Sequence, residues 1–318
     1  MFANWSISAM RPPPSIINVK GADFDELEGG VMSQTETFDP AAYKASTRAE
    51  WRAAAPGWRT WFDVLEAEEA GSTVTRKLIE LVGLGPNDLV LDVAAGYGEP
   101  GLTAARAVAP NGRVVCTDIS VEMLAVGKER AAREAVRNIE FIERDAGELD
   151  FDDETFDAVV SRQGLQFLPD VGATLRRLRS FLKPYGRLAA AVWGPPDTVQ
   201  FAAPVPVIRR TLELSPPPEG PGPFALSDPN KLAQLVESAG FKDVETGTVT
   251  AVYETESPER FTQWLRDVAP PLAGVVDDQP PAVQERVWHE VTEAWTPFII
   301  SGGRVRTENQ AIWVSATK

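Results

Sequence analysis

From Leu89 onward, short apolar runs alternate with stretches of helical spacing, joined by a few polar or glycine residues. The runs LVLDVA, RVVCTD, IEFIERD, FDAVVS and RLAAAVW predict strands, and residues 100–108, 120–135 and 170–182 predict helices between them. That rhythm is the signature of a doubly wound, mostly parallel α/β sheet with helices on both faces. Upstream, residues 47–71 have helical spacing broken at Pro56-Gly57, which predicts a turn between two helices. A third helix follows, with Ser72 as its N-cap and Val74, Leu78 and Val82 on one side.

After Trp193 the rhythm breaks. Helical potential over about 199–214 leads into a loop with prolines at 216, 217, 218, 221 and 223. A helix near 229–238 and the strand DVETGTVTAVYET resume the sheet. In SPERFTQWLRDV, Phe261, Trp264, Leu265 and Val268 form an i, i+3, i+4, i+7 stripe, and in PAVQERVWHEVTEAW, Val283, Val287, Val291 and Trp295 recur every four residues. QAIWVSA reads as the last strand. The chain thus divides into a flexible lead-in (1–37), an N-terminal helical lid (38–84), a Rossmann-like core (85–193, 228–254 and the final strand 309–318) and two cap insertions (194–227 and 255–308).

Charge narrows the partners. The chain carries 31 basic and 46 acidic side chains, a formal net charge of -15, and such a surface repels nucleic-acid backbones and anionic membranes. The N-terminal stretch lacks the charge and apolar pattern of a signal peptide, and no window is apolar enough to span a bilayer. Cys116 is the only cysteine, which excludes an internal disulfide; nothing marks an oxidising compartment, and a cytoplasmic setting is the default expectation. It sits in a strand-like run as a small hydrophobe and receives no chemical role.

The candidate chemistry lies in LDVAAGYGEPG, residues 91–101. Gly96 to Gly101 match G-x-G-x-x-G after a strand and before a helix, an arrangement that brings a ligand close to backbone amides. A pyrophosphate would face Asp92 and Glu99, which repel it, whereas an ammonium or sulfonium is favoured there. Asp118, ending the second strand 22 residues after Gly96, suits ribose hydroxyls in either case. Asp145 and the amide of Ala146, after the third strand, suit the edge of an adenine.

VLDVAAGYGEPGLTAA, VVCTDISVEML, IERDAGELDFDDETFDAVVSRQGLQFLPD and LKPYGRLAAAVWGP together resemble the successive motifs of class I S-adenosylmethionine-dependent methyltransferases. The resemblance is nearest the ubiquinone and menaquinone C-methyltransferases and related small-molecule enzymes. It implies a seven-stranded Rossmann-like methyltransferase sheet, S-adenosyl-L-methionine as cofactor and S-adenosyl-L-homocysteine as product. By that resemblance Ala94, Gly96 and Gly98 wrap the methionine part, Asp92 orients the loop or reaches the ammonium through water, and Asp118 binds the ribose. Ile119 and Met123 pack on the adenine, Asp145 and Ala146 read its edge, and Ser161, Arg162 and Gln163 flank the methionine and the transferred methyl. Tyr97 departs from the family, where a smaller residue or threonine is usual.

Methyl transfer from a sulfonium is an in-line displacement that chiefly requires the nucleophile to be held about 3–3.5 Å from the methyl carbon, aligned and dry. A base is needed only where the nucleophile must lose a proton, and Gln163, Glu99 and His289 are the catalytic candidates. Trp58, Trp61, Gln163, Gln166 and Trp193 are expected to enclose the acceptor, an apolar or aromatic small molecule methylated at O, N or C. No metal set is expected, since one histidine and one cysteine cannot make a usual zinc site. Two other readings stay open, an NAD(P)-dependent oxidoreductase and a non-catalytic S-adenosylmethionine-binding protein. A homodimer is compatible with the sequence.

Overall fold

The computed structural model describes residues 38–215 and 220–318, so the expected lead-in (1–37) and the prolines at 216–218 lie outside the described residues. Three helices come first: α1 (Pro40–Thr60), α2 (Phe62–Leu65) and α3 (Gly71–Val82). The alternating part runs β1 (Leu89–Val93), α4 (Gly101–Ala107), β2 (Arg113–Asp118), α5 (Val121–Arg133), β3 (Ile139–Glu143), β4 (Phe156–Arg162), α6 (Val171–Phe181) and β5 (Leu182–Trp193). Then come α7 (Val205–Thr211), α8 (Pro229–Ser238), β6 (Lys242–Thr255), α9 (Pro258–Val268), α10 (Pro270–Asp277), α11 (Pro281–Glu293) and β7 (Val305–Thr317).

The seven strands form one sheet in the order β3-β2-β1-β4-β5-β7-β6. β1 to β5 are parallel, whereas β7 runs antiparallel to both its neighbours. Because a strand turns alternate side chains to opposite faces, each central strand feeds two cores. Val90, Ala189 and Ala191 pack on one side, and Leu91, Val93, Leu188, Ala190 and Val192 on the other. Burial on both faces explains why these strands read as continuous apolar runs. The order reverses at β1 and β4, and in such sheets the crevice for ligands opens beyond the carboxyl ends of the strands at that point.

Three local expectations are corrected. α1 continues through Pro56 and ends only at Trp61. Gly57 serves a close approach instead of a turn: a Cβ there would lie 2.0 Å from the carbonyl oxygen of Asp267, so only glycine lets α1 cross the end of α9. Ser72 is not the cap of α3 but lies inside it, its hydroxyl donating to the Glu66 carbonyl at 2.8 Å. α10 was not foreseen, since PPLAGVVD is too short and too evenly apolar to show a period.

Candidate functional site

Asp92, at the end of β1, is fully buried. Its Oδ2 accepts from the amide of Gly101 at 2.7 Å, tying the strand to the first turn of α4, while its Oδ1 finds no partner among the described residues. Burial pushes this carboxyl well above the usual carboxylate range. Between them the backbone of Ala94, Gly96 and Gly98 takes positive φ angles of 58, 52 and 100°. At Gly98 a Cβ would meet Leu102 Cδ1 at 3.0 Å and the Cα of Gly127 at 3.3 Å, so this glycine packs the loop onto α4 and α5 and does not face the ligand crevice. Asp92 likewise acts from beneath the loop, and neither residue lines the cavity described next.

That cavity, of about 250 Å³, begins over the loop. Asp118 ends β2 on its wall, with Oδ2 accepting from Gly96 N and Oδ1 from Ser120 N, both at 2.8 Å. Two backbone donors leave a carboxylate with spare acceptor capacity. Burial is the main influence on this group and raises its pKa from 3.8 to about 6. Asp145 follows β3; its Oδ1 accepts from Gly147 N at 2.7 Å and pairs with Lys44 Nζ at 3.1 Å. Ala94, Gly96, Ile119, Met123 and Ala146 line the same end. A carboxylate acceptor flanked by apolar Ile119 and Met123, with a second acid and a backbone amide beyond, has the donor and acceptor set that an adenosine group requires.

Helix α1 passes across this end. Tyr43 donates its hydroxyl to the Phe167 carbonyl at 3.1 Å, Lys44 pairs with both Asp145 and Glu148, and Arg48 Nε donates to the Ile119 carbonyl at 3.1 Å.

The other end is walled by rings from five elements. Trp58 on α1, Trp193 at the end of β5, Phe201 in the turn before α7, Tyr253 on β6 and Trp264 on α9 all line it. Centroid separations of 5.0 Å for Trp193 and Phe201, and 5.4 Å for Tyr253 and Trp264, are those of packed aromatic pairs. Trp58 is fixed by its indole N–H, which donates to the Val268 carbonyl at 3.1 Å.

Charge enters where the two ends meet. Arg162 on β4 donates from one terminal nitrogen to the Gly71 carbonyl at 2.8 Å and Thr75 Oγ1 at 2.9 Å, and from the other to Glu66 Oε1 at 2.5 Å. The Tyr97 hydroxyl accepts from the same Arg162 nitrogen and donates to Glu66. Burial keeps the Tyr97 phenol protonated by raising its pKa well above the ordinary value. Glu99 forms a second buried pair with Arg130 at 3.1 Å, and Thr103 N donates to it at 3.2 Å. Burial first, and the repulsion of Glu66 next, raise the Glu99 carboxyl. Glu66 was missed from sequence because it sits in the turn after α2, in the acidic run LEAEEAG that reads as a solvated surface, with no periodic or motif signal.

Arg162, Gln163, Trp58 and Trp193 therefore lie on the cavity as expected, but other candidates do not. His289 is corrected: its side chain is 71% exposed on α11, 3.4 Å from Glu293, and has no path to the cavity. Ser161 is fully buried away from the cavity, with its hydroxyl donating to the Val93 carbonyl at 2.8 Å. Trp61 is buried off the cavity, its indole N–H donating to Asp267 Oδ2 at 2.8 Å. Gln166 is also fully buried behind the wall, donating from Nε2 to Gln163 Oε1 at 2.9 Å.

Comparison with known proteins agrees with this geometry. A family profile described as a methyltransferase domain matches residues 90–186. The ubiquinone/menaquinone biosynthesis C-methyltransferase of Pseudomonas putida is 39% identical over 122 residues, covering 38% of this chain and 48% of that protein. Its counterpart from Ectopseudomonas mendocina is 38% identical over 128 residues, covering 40% of this chain and 50% of that one. The chain thus spans about half the length of the curated relatives it matches. Among solved structures, the phosphoethanolamine N-methyltransferase 2 of Haemonchus contortus, in complex with phosphomonomethylethanolamine and S-adenosylhomocysteine, superposes with a TM-score of 0.54 at 17% identity. That match covers 89% of this chain and 61% of that one, and it shows the shared fold. Over residues 90–186 the chain thus matches a methyltransferase domain, and its similarity to the ubiquinone/menaquinone biosynthesis C-methyltransferases supports a class I S-adenosylmethionine-dependent methyltransferase near that branch.

Proposed function

We propose that the protein transfers a methyl group from S-adenosyl-L-methionine to an O, N or C atom of an apolar or aromatic small molecule. The observation that carries this reading is the continuity of the cavity, which runs from Asp118 and Asp145 past the glycine loop to the aromatic wall. Asp118 would hold the ribose hydroxyls, Ile119 and Met123 the adenine faces, Asp145 and Ala146 its edge, and Ala94 and Gly96 the methionine part. When bound, the cofactor supplies an electrophilic methyl on a sulfonium. The chain's own residues exclude water and set the angle of approach, which is the larger share of the work in such a displacement. Glu99, with its raised carboxyl, is the group placed to take a proton where the acceptor must lose one.

The division of the chain follows this reading. Residues 38–84 form a lid, 194–227 and 255–308 a cap, and the remaining sheet elements the cofactor core. The lone, buried cysteine fits a cytoplasmic setting. A dinucleotide oxidoreductase is disfavoured by the match of residues 90–186 to a methyltransferase domain.

Thermal unfolding with S-adenosylhomocysteine, NAD and NADP tests the cofactor. A ligand at about 100 times its dissociation constant adds about 2.7 kcal/mol, a rise of several degrees. A rise with S-adenosylhomocysteine alone is the expected result, and one with NAD or NADP alone would overturn the assignment. Mass spectrometry of an acceptor panel then separates an enzyme from a protein that only binds the cofactor.

A further inference from the structure

Among the described residues three tyrosines line the cavity, and two of them are spent. Tyr43 donates to the Phe167 carbonyl at 3.1 Å, and the Tyr97 hydroxyl is held between Glu66 and Arg162. The third, Tyr253 on β6, makes no side-chain hydrogen bond among the described residues. Unlike the indole nitrogen of Trp264 beside it, its hydroxyl is not one of the polar atoms sealed inside the wall. The residue is 6% exposed, so its ring is covered while its polar end stays open to the cavity.

That hydroxyl is held with little freedom. Trp193, Phe201 and Trp264 pack on the ring at centroid distances of 6.4, 6.2 and 5.4 Å, and the backbone lies in the ladder between β6 and β7, opposite Thr307. A group carried on a sheet is placed more precisely than one on a loop. β6 is also clamped to the turn that carries Glu66. Val252 N donates to the Glu69 carbonyl at 2.6 Å, and Arg306 on β7 pairs with Glu69 at 2.9 Å and with Glu254 at 3.3 Å. Tyr253 therefore stands at the junction between the glycine loop and the aromatic wall, where the charges of Arg162 and Glu66 both act on it. Burial, the largest influence, raises its phenol above the ordinary range, so the hydroxyl keeps its proton and its oxygen is a neutral acceptor instead of a base.

A neutral oxygen fixed beside a sulfonium attracts the electropositive hydrogens of its methyl and orients that methyl without charge of its own. We infer that Tyr253 is a catalytic residue, whose hydroxyl oxygen meets the transferred methyl at the junction and holds it in line for the acceptor. In the transfer an electron pair of the acceptor forms the new bond to carbon, the carbon–sulfur bond breaks with its pair on sulfur, and Tyr253 gains and loses nothing. Tyr253 lies outside the matched stretch 90–186, and its role rests on the methyl-transfer reading, which supplies the methyl.

Sinefungin, which carries an amine on carbon in place of the methyl on sulfur, probes this contact without any acceptor. Its binding and that of S-adenosylhomocysteine are measured by calorimetric titration on the full chain and on Tyr253→Phe, which removes the hydroxyl and keeps the ring. The variant is expected to lose about 10- to 100-fold in affinity for sinefungin, whose ammonium donates to the oxygen. For S-adenosylhomocysteine, which has nothing at that position, the loss should stay under about twofold. Thermal unfolding of the unliganded variant should match that of the parent, because the hydroxyl has no protein partner to lose. Three results would overturn the inference: an unchanged sinefungin affinity, an equal loss for both ligands, or no sinefungin binding to a parent chain that binds S-adenosylhomocysteine. Failure of S-adenosylhomocysteine itself to bind the parent would instead defeat the cofactor assignment, so the two failures are distinguishable.

Discussion

The two ends of the cavity are made by different means. At the cofactor end, Asp92, Asp118 and Asp145 follow successive strands, and each is fixed by a backbone amide within nine residues or by the neighbouring loop. At the acceptor end, Trp58, Trp193, Phe201, Tyr253 and Trp264 come from positions as much as 206 residues apart; the last four rings pack on one another, and Trp58 is held by the Val268 carbonyl. The first is a local device that a short segment specifies. The second exists only once distant elements have packed, which leaves it free to vary without disturbing the first.

The most damaging change would strike the junction. Arg162→Met leaves Glu66 buried without its counter-charge and should destabilise the protein by about 3–5 kcal/mol in urea unfolding, collapsing the distinction between the two ends. Asp118→Ala should sharpen it: S-adenosylhomocysteine affinity falls by about 30- to 1000-fold in calorimetric titration, from the loss of charge-assisted hydrogen bonds. Trp193→Leu is the mirror case. Product formation with a working acceptor should drop about tenfold, with S-adenosylhomocysteine affinity unchanged.

Acidity separates the ends in another way. On the proposed reading, ribose hydroxyls would donate to the ionised form of Asp118, whose pKa burial raises to about 6, so binding would favour loss of its proton. Affinity for S-adenosylhomocysteine should be flat above that pH and fall by up to about tenfold per unit below it, and Asp118→Asn should abolish the slope. Least of all, Lys44→Ala should speed S-adenosylhomocysteine release by only about two- to fivefold in stopped flow. The Lys44 pairs are partly exposed, so the difference should shrink as salt rises.

What the sequence made legible follows the same line. Asp92, Asp118 and Asp145 could be placed because a strand's end is marked by the change from apolar run to glycine or polar loop, and position along a strand fixes which way the chain leaves it. The acceptor end offered no such ruler. Trp58 and Trp61 looked alike in sequence, yet α1 runs on through Pro56, and its crossing at Gly57 turns Trp58 to the cavity and Trp61 to Asp267. Ser161 and Gln166 were placed one layer too far forward. Ser161 serves the carbonyl of Val93, 68 positions away, which only the folded chain brings near, and Gln166 turns inward to Gln163, three residues before it. Glu66 carried no signal, since its role depends on Tyr97 and Arg162, 31 and 96 positions away.

The strand order also dictates a schedule. β7 is the last strand along the chain, yet it lies inside the sheet, between β5 and β6. β6 borders β7 alone, along residues from Lys242 to Thr255, so it has no template until β7 slots in beside β5. Tyr253, and the helices strung between β6 and β7 that carry Trp264, must wait with it. The parallel part from β1 to β5 needs no such delay, since its contacts are nearer in sequence. A nascent chain should therefore become competent to hold the cofactor before it has anywhere to put an acceptor.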